Sequence, residues 1–215
     1  MTCMYQSTKR SAARASPPAW CASRVFIAGL LIIAACQSES YARTAYASKS
    51  ASSNTLPLRF KRHNFDAYCY NTLDCQVVYD GTNHTRTSTG QRSGPPPSAN
   101  DKERTWGGAS YLDVKNFPAP AQLKWTSLDG QTHEDSIDLS KIFANERVLY
   151  SVPDAQIPDH SFEGPAGEPN IFIEVNDRTV SVYMKMLIPT KEPQIPGNAN
   201  SYFRDDLIKA WSRTY

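Results

Sequence analysis

The first acidic residue of this chain is Glu39; the 38 positions before it hold Lys9, Arg10, Arg14 and Arg24 and no carboxylate. Other absences narrow the chemistry. Of the four histidines (His63, His84, His133, His160), none lies three or four residues from another, so no helix face offers two imidazoles to one metal. His133-Glu134-Asp135 follows a turn pair and reads as a solvated edge. A G-x-S-x-G elbow is missing, and the nearest approach, Gly107-Gly108-Ala109-Ser110, lacks the second glycine flank. The glycines at Pro165-Ala166-Gly167 lack the strand–loop–helix setting of a phosphate cradle. Without the four leader cations, 23 − 4 = 19 Lys and Arg face 21 Asp and Glu, about −2. That balance excludes a basic nucleic-acid patch and an electrostatic membrane tether. Long apolar runs are few, and fifteen prolines disfavour a helical bundle. With no convergent site, the chain reads as a binding module rather than an enzyme, and no cofactor, metal or small-molecule substrate is expected.

What is present begins with residues 25–36, VFIAGLLIIAAC. Eleven apolar or small residues follow a basic leader and end at Cys36, the layout of a secretory signal. The run is shorter than the roughly 20 residues a membrane span needs. Ile33-Ala34-Ala35-Cys36 resembles the bacterial lipobox, in which the cysteine is lipidated; Ala45-Tyr46-Ala47 is the rival cleavage site of an ordinary signal. The expectation is export and a lipid anchor at Cys36 in the periplasm, with Gln37 resembling lipoproteins sorted to the outer membrane. Residues 1–36 are then the leader. Residues 37–55 are a Ser/Ala-rich tether, whose eighteen residues 37–54 reach roughly 60 Å when extended. Residues 56–215 form one β-rich binding domain, long enough for a proper core.

Cys69 and Cys75 remain as an even pair in an oxidising compartment, and a disulfide between them is expected. Their spacing is too long for a CxxC redox or metal motif. Leu58, Phe60, Phe65, Ala67 and Cys69 alternate with polar residues, and residues 75–79 give a second β run stopped by Asp80-Gly81. Residues 83–105, broken by Pro95-Pro96-Pro97, read as a long polar loop, functional or mobile. Residues 123–126 and 132–139 flank Asp129-Gly130 as a hairpin, 147–152 read as a short strand, and 153–170 as an irregular acidic stretch. A second hairpin joins 171–175 to 179–188, whose apolar alternates face the core and whose polar alternates face out. Phe203, Leu207, Ala210 and Trp211 fall on one face of a C-terminal helix begun at Ser201. The fold class is therefore α+β: mainly antiparallel sheet or sandwich built from hairpins, with a C-terminal amphipathic helix packed on it.

Residues 121–143 and 169–215 resemble immunity lipoproteins of antibacterial type VI secretion phospholipases. The shared features are a Lys124-Trp125 strand before an Asp-Gly turn, the step Asp138-Leu139-Ser140-Lys141-Ile142-Phe143, and a strand entered through Glu174-Val175-Asn176-Asp177-Arg178. A closing Phe203-Arg204-Asp205-Asp206-Leu207-Ile208 segment and the lipobox complete the set. The resemblance implies a partner, a secreted phospholipase effector, which the resident lipoprotein would bind and inhibit in the producer and its siblings. An interface of roughly 800 Å² per side would suffice. Rigid hairpins with polar loops suit that task. The expected contact residues are Arg92, Lys102, Arg104 and Trp106 from the first loop, and Asp129 from the turn. Asp154, Asp159, His160, Phe162 and Glu163 come from the second loop, with Trp and Arg the commonest anchors. Two alternatives stay open: an assembly lipoprotein of an envelope secretion machine, and an envelope hydrolase with Ser110 or His133 in its site.

Overall fold

The computed structural model describes residues 54–215. The leader, Cys36 and tether residues 37–53 lie outside the described residues. The described chain forms two main sheets around a shared core, and a third of only two strands. β1 (Arg62–Tyr70) is flanked by β4 (Tyr111–Lys115) and β7 (Asn170–Asn176). With β8 (Thr179–Lys185) and β11 (Leu207–Thr214) they make a five-stranded sheet of order β11-β8-β7-β1-β4. The second sheet has the order β3-β2-β5-β6, from Thr82–Asn83, Thr72–Tyr79, Ala121–Ser127 and Thr132–Ile137. All pairings are antiparallel except β1 with β7, which run parallel from Asn64↔Asn170 to Tyr70↔Asn176.

Alternation dictates the core. Phe65, Ala67 and Cys69 of β1 and Ile171, Ile173 and Val175 of β7 turn inward against Val77 and Tyr79 of β2 and Leu123 and Trp125 of β5. Each fully buried side chain of this size contributes about 2 kcal/mol. β1 and β2 are consecutive but belong to different sheets, and Asn71, with φ of 50°, makes the sharp arch between them. The Cys69–Cys75 disulfide closes that arch with Cα atoms 6.3 Å apart, so it fastens one sheet to the other. The Asp80-Gly81 pair has φ values of 48° and 71°, the left-handed pair of a tight hairpin turn, and returns the chain from β2 into β3.

One polar chain crosses the core. Tyr79 Oη lies 3.0 Å from His63 Nε2, and His63 Nδ1 lies 2.7 Å from Asn116 Oδ1. Asn116 in turn donates to the Phe60 carbonyl at 3.0 Å. His63 is fully buried, and burial holds its imidazole below the usual pKa.

Four expectations are corrected. The C-terminal segment is a strand, β11, not a helix. Ile208 faces Met184 and Trp211 faces Val182, with the register shifted between Lys209 and Trp211. At the bulge the consecutive Ala210 and Trp211 both pack on the core, while Leu207 packs on the outer face, so the predicted helical face is divided between the two sides of the sheet. Residues 147–152 form no strand; Val148 and Glu146 only exchange main-chain bonds with Leu58 and Phe60. The long loop carries a helix, α1 (Ala99–Thr105). Finally, the polar alternates of β8 do not face water: Ser181, Tyr183 and Lys185 are all buried.

Candidate partner-binding surface

α1 explains the burial of Tyr183 and Lys185. Ser98 caps it, its hydroxyl accepting from the Asp101 amide at 3.2 Å, and the helix lies on the outer face of the five-stranded sheet. Lys102 Nζ bonds Glu174 Oε2 of β7. The ammonium sits 5.4 to 5.9 Å from the ring centroids of Trp106, Tyr70 and Tyr183. Trp106 stacks on Tyr68 at 4.5 Å, and burial pushes the Tyr68 phenol up to about 12. Glu103 straps the helix at two more points. Its carboxylate accepts from the Leu207 amide at 2.7 Å, and its carbonyl accepts from Lys185 Nζ at 2.6 Å. Lys102 and Trp106 therefore do internal work and are not presented to a partner. Arg104 is exposed and pairs with Asp101 at 2.8 Å, and Arg92 is exposed.

Asp129 is exposed at the β5–β6 turn, but its carboxylate is committed. Ser127 Oγ donates to Oδ1 at 2.5 Å and the Gln131 amide at 3.0 Å; these bonds hold the acid below the usual carboxylate range. His133 Nε2 lies 2.9 Å from the same hydroxyl. Serine has one proton, and Asp129 takes it, so His133 donates to Ser127 instead of removing its proton. That polarity is the reverse of a hydrolase base and nucleophile. His133 also stacks on Trp125, with centroids 5.0 Å apart. Ser110 Oγ donates to Asp66 Oδ2 at 3.0 Å, a strand-edge contact.

The second predicted group sits at the opposite end of the sandwich, because residues 153–169 lead into the start of β7 whereas Asp129 lies beside the turn at its end. Asp177 in that turn accepts from Trp125 Nε1 at 2.7 Å and from the Leu128 amide at 2.8 Å. Seven strand residues separate the two ends by about 20 Å. Asp154, Asp159, His160 and Glu163 are exposed. Asp154 accepts from Tyr150 Oη at 2.8 Å, and His160 Nδ1 lies 3.4 Å from Glu163. Phe162 is half-buried against the core, and its amide donates to Asn54 Oδ1 at 2.9 Å. The described chain thus joins the domain at this end.

The same end carries residues that the sequence did not mark as partner contacts. Residues 187–204, where the sequence predicts a strand ending at 188 and a helix starting at Ser201, fold otherwise. They form a compact loop closed by β9 (Ile188–Pro189) and β10 (Phe203–Arg204), with Phe203 opposite Pro189. Leu187, Ile195, Tyr202 and Phe203 stand out from it at 45 to 58% exposure, four of the eight large apolar side chains exposed on the described chain. The available signal was large apolar residues within a segment rich in proline and asparagine, where no periodic core face could claim them. Lys191 joins this loop to the acidic one: its amide donates to the Gln156 carbonyl at 2.7 Å and its ammonium lies 3.6 Å from Asp159. Compared with protein families, curated proteins and solved structures, the chain matches none of them.

Proposed function

We propose that this chain is a periplasmic immunity lipoprotein. It binds a cognate type VI secreted phospholipase and keeps that enzyme from phospholipid in the producer and its siblings. Cys36 anchors it by lipid to the outer membrane, and residues 37–53 give it reach.

The observation that carries this reading is the contact between Trp125 and Asp177 at 2.7 Å. These residues come from two of the motifs behind the resemblance, and they lock the two sheets together. Several other motif residues are also framework. Asp138 caps the short helix α2 (Leu139–Ile142), Leu139 and Phe143 enter the core, and Glu174 holds α1. A resemblance carried mainly by framework residues, with Phe203 and Arg204 at the loop surface as the exception, supports a shared scaffold whose loops carry the specificity.

Co-expression with the phospholipase encoded by the adjacent gene tests it. The expected outcome is cell survival and a one-to-one complex on gel filtration. Continued lysis with no complex would sink the proposal. A deletion strain that secretes normally but dies beside its siblings separates this role from that of a secretion-machine component.

A further inference from the structure

We propose that the loop of residues 187–204 is the partner-binding crest of this domain. It presents Ile195, Tyr202 and Phe203 to an apolar cleft with a basic rim on the phospholipase. This assignment rests on the function proposed above and names the surface that performs it.

The crest is exposed and already ordered. Ile195, Tyr202 and Phe203 are 58, 48 and 45% exposed. The loop beneath them is organised by Ser201, a buried hydroxyl that accepts from the amides of Gln194 and Ile195 at 3.0 and 2.9 Å and donates to the Asn198 carbonyl at 2.7 Å. Thr190, also buried, donates its hydroxyl to the Glu192 carbonyl at 2.7 Å, and its amide donates to the Tyr202 carbonyl at 3.0 Å. A loop held this way loses little conformational freedom on binding, so the burial of its side chains is retained as affinity. Tyrosine and phenylalanine are also among the residues enriched in interface cores.

Charge identifies the occupant. The crest segment 187–206 and its neighbour 153–169 together carry seven carboxylates against two cations, Lys191 and Arg204. Both cations are paired, Lys191 with Asp159 and Arg204 with Asp206. The buried Lys185, 3.4 Å from Asp205, leaves the acidic excess in place. An anionic bilayer repels such a surface. A protein with an apolar opening and a basic rim complements it in shape and potential. An enzyme that takes acyl chains attached to a phosphate needs such an opening and rim. An apolar tip on an acidic loop therefore offers the phospholipase the chemistry of its own substrate without a cleavable ester.

The test titrates the adjacent-gene phospholipase with the full chain by calorimetry. Tyr202→Ala and Phe203→Ala should each weaken binding about 30-fold. The triple variant Ile195→Ser/Tyr202→Ser/Phe203→Ser should abolish protection in cells. Leu112→Ser, at an equally exposed site on β4, should change neither. Melting temperatures confirm that each variant is folded; should the triple variant unfold, the two single variants decide. If the wild type binds and the crest variants bind equally well, the crest assignment is wrong and the proposed function stands. If the wild type binds no phospholipase, both fall. A third arm sediments the Cys36→Ser chain with phosphatidylethanolamine–phosphatidylglycerol vesicles. No sedimentation is expected, and vesicle binding lost in the triple variant would make the crest a membrane contact and overturn the assignment.

Discussion

Lys102 and Glu174 meet on the outer face of the five-stranded sheet, one from a seven-residue helix and the other from a strand 72 positions later. Their side chains are only 14 and 5% exposed, and aromatic rings surround the ammonium. A short helix with no buried residue of its own is held in place by this ion pair, by the Glu103 contacts and by the Trp106 that follows it.

Removing one partner of a buried pair strands the other charge. Glu174→Ala should therefore cost about 3 kcal/mol in urea unfolding. The double variant Lys102→Met/Glu174→Leu should recover most of that loss, because it removes both charges and keeps the volume. A double variant no more stable than Glu174→Ala would show that the pair holds α1 by more than charge balance.

Reduction of Cys69–Cys75, or its replacement by two alanines, should lower stability by about 2 kcal/mol, the chain-entropy value for so short a loop. For a domain of this size that corresponds to a fall of about 5 °C in melting temperature. The bond joins the two sheets, so the loss should appear in the global unfolding transition and not as local fraying.

Acid should destabilise the domain well before its carboxylates titrate. The folded-state pKa of His63 is held down, chiefly by burial and against the opposing bond to Asn116. Unfolded, it returns to about 6.5. Between those values the unfolded chain binds a proton that the folded chain rejects, so stability is full above about pH 6.5 and falls as pH drops through and below it. One such group gives a slope of at most about 1.4 kcal/mol per pH unit. His84, also lowered by burial, acts with the same sign. Urea midpoints between pH 7 and pH 5 should fall for the wild type and fall less steeply for His63→Gln.

Amide exchange should distinguish the C-terminal strand from a helix. β11 pairs with β8 on one side and is otherwise the edge of its sheet. Its amides should alternate between slow and fast exchange along Leu207–Thr214, interrupted at the bulge near Ala210. Uniform protection of consecutive amides would indicate a helix.

Cys36→Ser should leave affinity for the phospholipase in solution unchanged and reduce protection in cells. Equal protection by the unanchored form would mean that the lipid determines location but adds nothing to inhibition.

Local features of this fold were legible in the sequence. The Asp80-Gly81 and Asp129-Gly130 turns, the alternation in β1 and β5, and the Cys69–Cys75 pair all depend on neighbours a few positions away. The misreadings came from distant residues. Nothing near Tyr183 or Lys185 announces that a helix from residues 99–105 will cover them. The bulge near Ala210 lets the consecutive Ala210 and Trp211 both pack on the core, and with Leu207 three positions earlier that spacing imitated a helix face. Tyr202 and Phe203 were assigned to that helix, which hid the crest. Lys102 and Trp106 looked like anchors because their residue types are common at interfaces, whereas their surroundings put them inside.

Asn64 and Asn170 lie side by side on parallel strands, yet 106 positions separate them. The chain is made from its N-terminus, so β1 emerges long before the neighbour that completes its sheet. Until β7 and β8 arrive, Phe65 and Ala67 have half a core and an open edge, and pairing so remote in sequence is slow to form. The period of greatest exposure to proteases and to self-association is therefore the interval of emergence, before the domain is finished. Truncation before residue 170 leaves this central strand without β7, the parallel neighbour that completes its pairing.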